Sequence, residues 1–209
     1  MRIAVINEGS TKHRNADVMK AVEELSGNEI FNLGMQNVDG EPDLTYLETA
    51  LMSAIVINLK AVDFVVGGCG TGQGYMNAVL MFPGTACGLL MDPVDAFLFS
   101  QVNAGNIISL ALNKGYGGVG GDINVKYILK TLFNDTYGQG YPKHRAELQI
   151  NARKKMAQLS EDSHRPMKEI LEKIDPLTLE HALKFPGFLD FIKNEAPESD
   201  LKDYVLSRA

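Results

Sequence analysis

Short apolar runs alternate with stretches of helical spacing through the first two thirds of the chain. Ile3 to Ile6 has the length of a buried strand, and Ala16 to Leu25 follows with apolar residues at helical spacing and Gly27 as a stop. Glu29 to Leu33 fits a second short strand, Gly34 to Asp43 a polar loop bearing Gly and Pro, and Leu44 to Leu59 a long apolar-faced helix. Next come a strand at Ala61 to Val66, a helix from about Gly74 to Met81 and a strand at Thr85 to Leu90. A helix opening near Pro93, a strand at Asn106 to Leu110 and a helix at Asp122 to Phe133 complete the series. Strands alternating with helices imply right-handed βαβ crossovers, so the expected class is α/β: a three-layer, Rossmann-like fold around a mainly parallel five-stranded sheet.

From about Tyr141 the strand pattern ends. Charged helical segments follow at Ala146 to Leu159, Pro166 to Ile174 and Leu177 to Leu183, then FPGFLDFIKNE and an acidic tail. Residues 1–140 are therefore expected to form the α/β domain and 141–209 a helical C-terminal extension that packs on the core or on a partner subunit.

Composition narrows the partners. A chain of 209 residues with 45% hydrophobic and 22% charged residues can bury one substantial core. A formal net charge of −6 weighs against nucleic acid or an anionic membrane, both of which need a basic face. No run reaches the length of a membrane span, and Arg2 leads straight into the first strand without the plan of a signal peptide, so a cytoplasmic location is expected. Cys69 and Cys87 are the only cysteines, spaced for neither a zinc site nor a redox pair; no metal, cofactor or disulfide is expected.

In an open parallel sheet the carboxyl ends of the strands line the ligand crevice, and the unusual residues fall there: Asn7-Glu8-Gly9-Ser10, Gly67 to Gly74, and Met91-Asp92-Pro93. In GGCGTGQG every residue but Cys69, Thr71 and Gln73 is glycine. The run lacks the G-K-[ST] of a P-loop, does not satisfy G-x-G-x-x-G and follows the third strand, which weakens a nucleotide-binding reading. What it offers is free backbone amides at a helix N-terminus, an anion hole. Cys69 at its edge is a candidate base, because the positive end of the dipole favours the thiolate over that of a free cysteine of pKa about 8.5. Thr71 supplies a hydroxyl to relay a proton. A base beside an oxyanion hole is the equipment of enediolate chemistry, in which a proton leaves the carbon next to a carbonyl and returns next door.

The stretch DFVVGGCGTGQGYMNAVLMFPGTACGLLMDPVDAFLFSQVNAGNIISLAL resembles the ribose-5-phosphate isomerase B and galactose-6-phosphate isomerase family, in the subgroup whose base is cysteine. C-G-T-G-x-G, the D-P before the next helix and N-A-x-N before the last strand occur in order. The resemblance covers residues 1 to about 150. It implies a cofactor-free aldose–ketose isomerase of a sugar phosphate, a homodimer or homotetramer with active sites at the subunit interface. On that mapping Cys69 is the base, Thr71 assists, the amides of Gly70 to Gly74 (Gly70, Gly72 and Gly74 among them) form the anion hole, and Asn103 binds substrate. The chain departs from the family at several positions. The family's Asp-His pair is Glu8-Gly9, which keeps an acidic catalytic contact at Glu8; its ring-opening histidine is Val102; a phosphate-binding arginine is Asn113, with Lys114 beside it; and of two later arginines one position is Tyr141 and the other Arg145.

Phosphate recognition is then expected from Arg145 first, with Lys12, His13 and Arg14 as the alternative cluster and Lys114 as a further contact. With valine at position 102, ring opening falls to Glu8 or His13, or the preferred substrate is already open. The second glycine run, GYGGVGGD, reads as a turn before a helix start. Two other readings stay open: a catalytically idle sugar-phosphate binding subunit, including one partner of a heteromeric isomerase, and a flavodoxin-like flavin or nucleotide binder.

Overall fold

The computed structural model describes residues 1–114 and 121–208. Its sheet runs β1 (Arg2–Ile6), β2 (Glu29–Asn32), β3 (Phe64–Cys69), β4 (Cys87–Leu90) and β5 (Ile107–Ala111), all parallel, in the spatial order β2-β1-β3-β5-β4. The five-stranded α/β sandwich expected from the pattern is present, and its sheet is wholly parallel. Helices α1 (Asn15–Glu23), α4 (Pro93–Leu98) and α5 (Gly121–Asn134) cover one face, over a core that includes Ile3, Val5, Phe64, Val66 and Ile108. Helices α2 (Tyr46–Asn58) and α3 (Gln73–Val79) cover the other, over Ala4, Ile6, Val65 and Ile107. The alternation of the two sets along each strand follows from the two-residue period of a pleated strand. Of the run GYGGVGGD, positions 115–120 lie outside the described residues, and Gly121 and Asp122 open α5.

Strand order creates the crevice. From β1 the chain moves outward to β2, then returns across β1 to β3, so the connections leave β1 and β3 in opposite directions. Their carboxyl ends flank a topological switch point. The third strand also extends three residues beyond the expected Val66, because Gly67, Gly68 and Cys69 register with Ser109, Leu110 and Ala111 of β5. Cys69 is therefore the last residue of a strand, with a backbone held by its neighbour.

Helix α2 explains the extension. Thr45 caps it in a reciprocal box with Glu48: the Thr45 side chain accepts from Leu47 N (3.2 Å) and Glu48 accepts from Thr45 N (2.8 Å), an arrangement worth about 1 kcal/mol. Every residue from Glu48 to Val56 is buried, so this helix is covered all round. The sheet covers one side. The other is met by α8 (Pro176–Leu183), and together with α7 (Met167–Lys173), α9 (Phe188–Glu195) and α10 (Asp200–Ser207) it brings Met167, Leu171, Leu183, Phe188, Ile192 and Val205 into the same apolar cluster. The segment with the look of an acidic tail is thus a helix, α10, capped by Ser199 and anchored by buried Lys202, which donates to the Ala196 carbonyl at 2.8 Å. Arg2 ties β1 to this layer through both the carboxylate and the carbonyl of Glu195. By contrast α6 (Ala146–Ser163) buries no residue completely and lies against a π-helical turn, Phe99–Asn103. Among the described residues no helix is long and apolar enough to cross a membrane.

Candidate active site

The peptide planes after β3 define the site. The Cys69 carbonyl accepts from Leu112 N (3.1 Å) and Gly72 N (3.2 Å), and the Gly70 carbonyl accepts from Asn113 N (3.0 Å). Both carbonyls thus face the end of β5. In a trans peptide the N–H points opposite its carbonyl, so the amides of Gly70 and Thr71 both turn away from β5, toward β1 and the switch-point crevice. Two successive amides aimed one way are the arrangement from which an anion hole can be built. Cys69 is 6% exposed at its edge, and its Sγ lies 4.0 Å from Thr71 Oγ1, within the reach of a sulfur hydrogen bond.

Two glycines are required by the space around them. Gly72 has φ +74°, the left-handed region, and a Cβ there would lie 2.4 Å from Leu89 Cδ1. At Gly67 a Cβ would lie 2.3 Å from the phenol oxygen of Tyr75, a fully buried residue of α3 whose hydroxyl meets Ser53 Oγ at 2.6 Å. Burial pushes that phenol well above the ordinary tyrosine range, which keeps it a neutral hydrogen-bonding group. The loop carrying Cys69 is consequently pinned where it leaves β3 and where it enters α3.

The segment after β1 supplies the opposite wall. Glu8 is buried, and its carboxylate accepts from Ser10 N at 3.0 Å and from the Ser10 hydroxyl, capping a 3-10 turn over Gly9–Arg14. A Cβ on Gly70 would stand 3.4 Å from Ser10 Oγ and 3.2 Å from Asn113 Nδ2, and Asn113 Nδ2 donates to the Ser10 carbonyl at 3.0 Å. At the position of a family arginine, Asn113 thus stitches the β1 loop to the Cys69 loop. Tyr46, the first residue of α2, overlies the loop: a Cβ on Gly74 would meet its ring at 3.4 Å. Tyr46 and Ser10 carry no motif, and only the convergence of three loops places them here.

Glu8, Cys69, Gly70, Thr71, Gly72 and Gly74 therefore come together at one crevice, and Lys114 follows the Asn113 that borders it. His13 and Arg14 end the 3-10 turn, His13 exposed and Arg14 half-buried; Lys12 beside them pairs with Asp43 at 3.4 Å. Asn103 does not join them within this chain. It lies in the turn before β5, whereas Cys69 registers with the last residue of that strand, roughly 13 Å along it from the first. Val102 shares that end. The arginine that meets this turn is Arg153, donating to the Val102 carbonyl (2.9 Å) and the Gly138 carbonyl (2.7 Å), while Arg145 is exposed just before α6. A groove of about 520 Å³ opens here along edge strand β4, lined by Cys87, Leu89, Leu98, Val102, Asn103 and Met156 among others; Cys69 does not line it.

Comparison with known proteins gives the family and the fold. A family profile described as ribose/galactose isomerase matches residues 3–149. A 4-deoxy-L-threo-5-hexosulose-uronate ketol-isomerase, solved with a tartrate, is 38% identical with a TM-score of 0.96, over 100% of this chain and 99% of its own. A ribose-5-phosphate isomerase from Vibrio parahaemolyticus is 36% identical with a TM-score of 0.95, over 100% and 99%. The type B ribose 5-phosphate isomerase of Trypanosoma cruzi, 19% identical with a TM-score of 0.65 over 78% of this chain and 100% of its own, shares the fold. A search of curated proteins found no match.

Proposed function

Given that the chain belongs to the ribose/galactose isomerase family and is a sugar isomerase, we propose that it interconverts the aldose and ketose forms of a phosphorylated sugar through an enediolate. The observation that carries this reading is the pair of amides at Gly70 and Thr71 turned into the crevice beside Cys69. The Cys69 thiolate takes the proton from the carbon adjacent to the carbonyl, and the electron pair moves onto the carbonyl oxygen, where the two amides hold the charge. The thiol then returns its proton to the former carbonyl carbon. Thr71 relays, and Glu8, on the β1 side of the crevice, serves the proton that passes between the two substrate oxygens. No cofactor is needed for these steps, and a cytoplasmic location suits them.

Asn103 enters through assembly. If it binds substrate it does so in the crevice of a second copy, which supports a homo-oligomer with active sites at the subunit interface. Arg145, on the same side of the molecule, is then the first candidate for the phosphate, with His13, Arg14 and Lys114 contributing from the crevice's own chain.

A second reading, an open-chain sugar acid as substrate, is favoured by Asn113 being committed to the Ser10 carbonyl and by Val102, which cannot move a proton to a ring oxygen. The uronate ketol-isomerase relative supports it. The deciding measurement follows hydrogen exchange from deuterated water into ribose 5-phosphate and into 4-deoxy-L-threo-5-hexosulose-uronate. Native protein is expected to exchange one of them at the carbon next to the carbonyl. Cys69→Ala should abolish that exchange while leaving binding within about tenfold. Unchanged exchange in Cys69→Ala removes the thiol from the mechanism.

A further inference from the structure

Ser109 is the one polar residue of β5, an interior strand, and it has no solvent exposure. A hydroxyl buried in an apolar strand is costly unless it is hydrogen-bonded. Its bond goes to the Gly72 carbonyl at 2.5 Å. That carbonyl also takes the opening bond of α3, from Met76 N at 3.2 Å, so one oxygen joins the core of the sheet to the start of the helix. Gly72 is the left-handed hinge of the Cys69 loop.

The plane of a peptide fixes the next amide. With the Gly72 carbonyl drawn down to Ser109, the Gln73 N–H points the opposite way, where it makes only a long bond of 3.4 Å to Thr71 Oγ1. We infer that Ser109 is a positioning residue of the isomerase: by anchoring the Gly72 carbonyl it aims the Gln73 amide and the Thr71 hydroxyl at the space that the Gly70 and Thr71 amides face. This rests on the enediolate reading above. Ser109 touches no reacting atom. Its work is to hold a third carbonyl of the loop inward, as the Leu112 and Asn113 amides just past β5 hold those of Cys69 and Gly70.

The test is Ser109→Ala, which leaves a smaller side chain in the same space. With whichever of the two substrates the native protein exchanges, kcat should fall about ten- to a hundredfold and KM should change less than about threefold. A hydroxamate bearing the substrate's chain, which mimics the charged enediolate, should weaken in step with kcat/KM, while the matching polyol, which has no carbonyl, should bind as before. Equal weakening of hydroxamate and polyol would mean a general structural role and overturn the inference, as would an unchanged kcat in a folded variant. If Ser109→Ala does not fold, Ser109→Cys, which keeps the volume but donates weakly, is held to the same comparison. Absence of exchange by native protein with either substrate would instead overturn the enediolate reading, and the Ser109 inference with it.

Discussion

The two thiols of the chain sit in opposite settings. Cys69 ends β3 beside amides that face the crevice, whereas Cys87 starts the edge strand β4 among apolar residues, where burial pushes its thiol up to about 12. Cys87 is then a neutral thiol across the physiological range. In a Cys69→Ala variant, iodoacetamide should label Cys87 slowly at about pH 8 compared with a free cysteine. Mass spectrometry reads the outcome, and rapid labelling would mean that β4 is more open than its packing implies. Thr71→Val is expected to lower kcat less than Cys69→Ala, since it removes a relay and not the base. Steady-state kinetics of the two side by side are the check.

At the level of elements, caps and carbonyl anchors do most of the positioning. A triad of asparagines, Asn7, Asn15 and Asn32, joins β1, α1 and β2 through bonds of 2.9–3.0 Å, and so sets the direction in which the chain leaves β1 toward Glu8. In the extension, Asp175 caps α8, accepting from both the amide and the hydroxyl of Thr178, and these bonds hold its carboxyl below the usual carboxylate range. A depressed native pKa gives stability that is present above the unfolded-state value and is lost as pH falls through the native one. Asp175→Ala should therefore melt at a lower temperature than the native protein at neutral pH. The gap should close as pH is taken below the ordinary carboxylate range, a comparison that thermal melts by circular dichroism can make.

For the whole molecule, the extension and the assembly make separate demands. Removing residues from Met167 onward would take away α8 and bare the outer side of α2 and the apolar cluster it shares with the extension, so the shortened chain is expected to aggregate or to melt well below the full one. Light scattering and melting curves test this, and a stable, monodisperse truncation would mean that another surface covers α2. Shared sites make a different prediction. If Asn103 serves the crevice of a second copy, Cys69→Ala and Asn103→Ala chains mixed and re-assembled should regain activity that neither has alone, because some mixed interfaces pair an intact Cys69 with an intact Asn103. No recovery after verified subunit exchange would remove Asn103 from the site.

Apolar spacing made the α/β class, the five strands and most helix positions legible, because strand and helix bury their apolar faces with different periods. The glycine-dense turn around Cys69 was legible too, since it is written in consecutive residues. Where β3 ends was not: its last three residues belong to the strand because β5 pairs with them, and pairing between distant segments leaves no local trace. The helix in the acidic tail was hidden for a related reason, its burial being owed to packing against α9 and α7 more than to its own spacing. Tyr46, Ser10 and Asn113 meet the Cys69 loop only because the strand order brings three loops to one crevice. The direction of β5 puts Asn103 before that strand's first residue while Cys69 registers with its last, so a substrate contact implied by the resemblance is not brought to Cys69 by this chain's own fold.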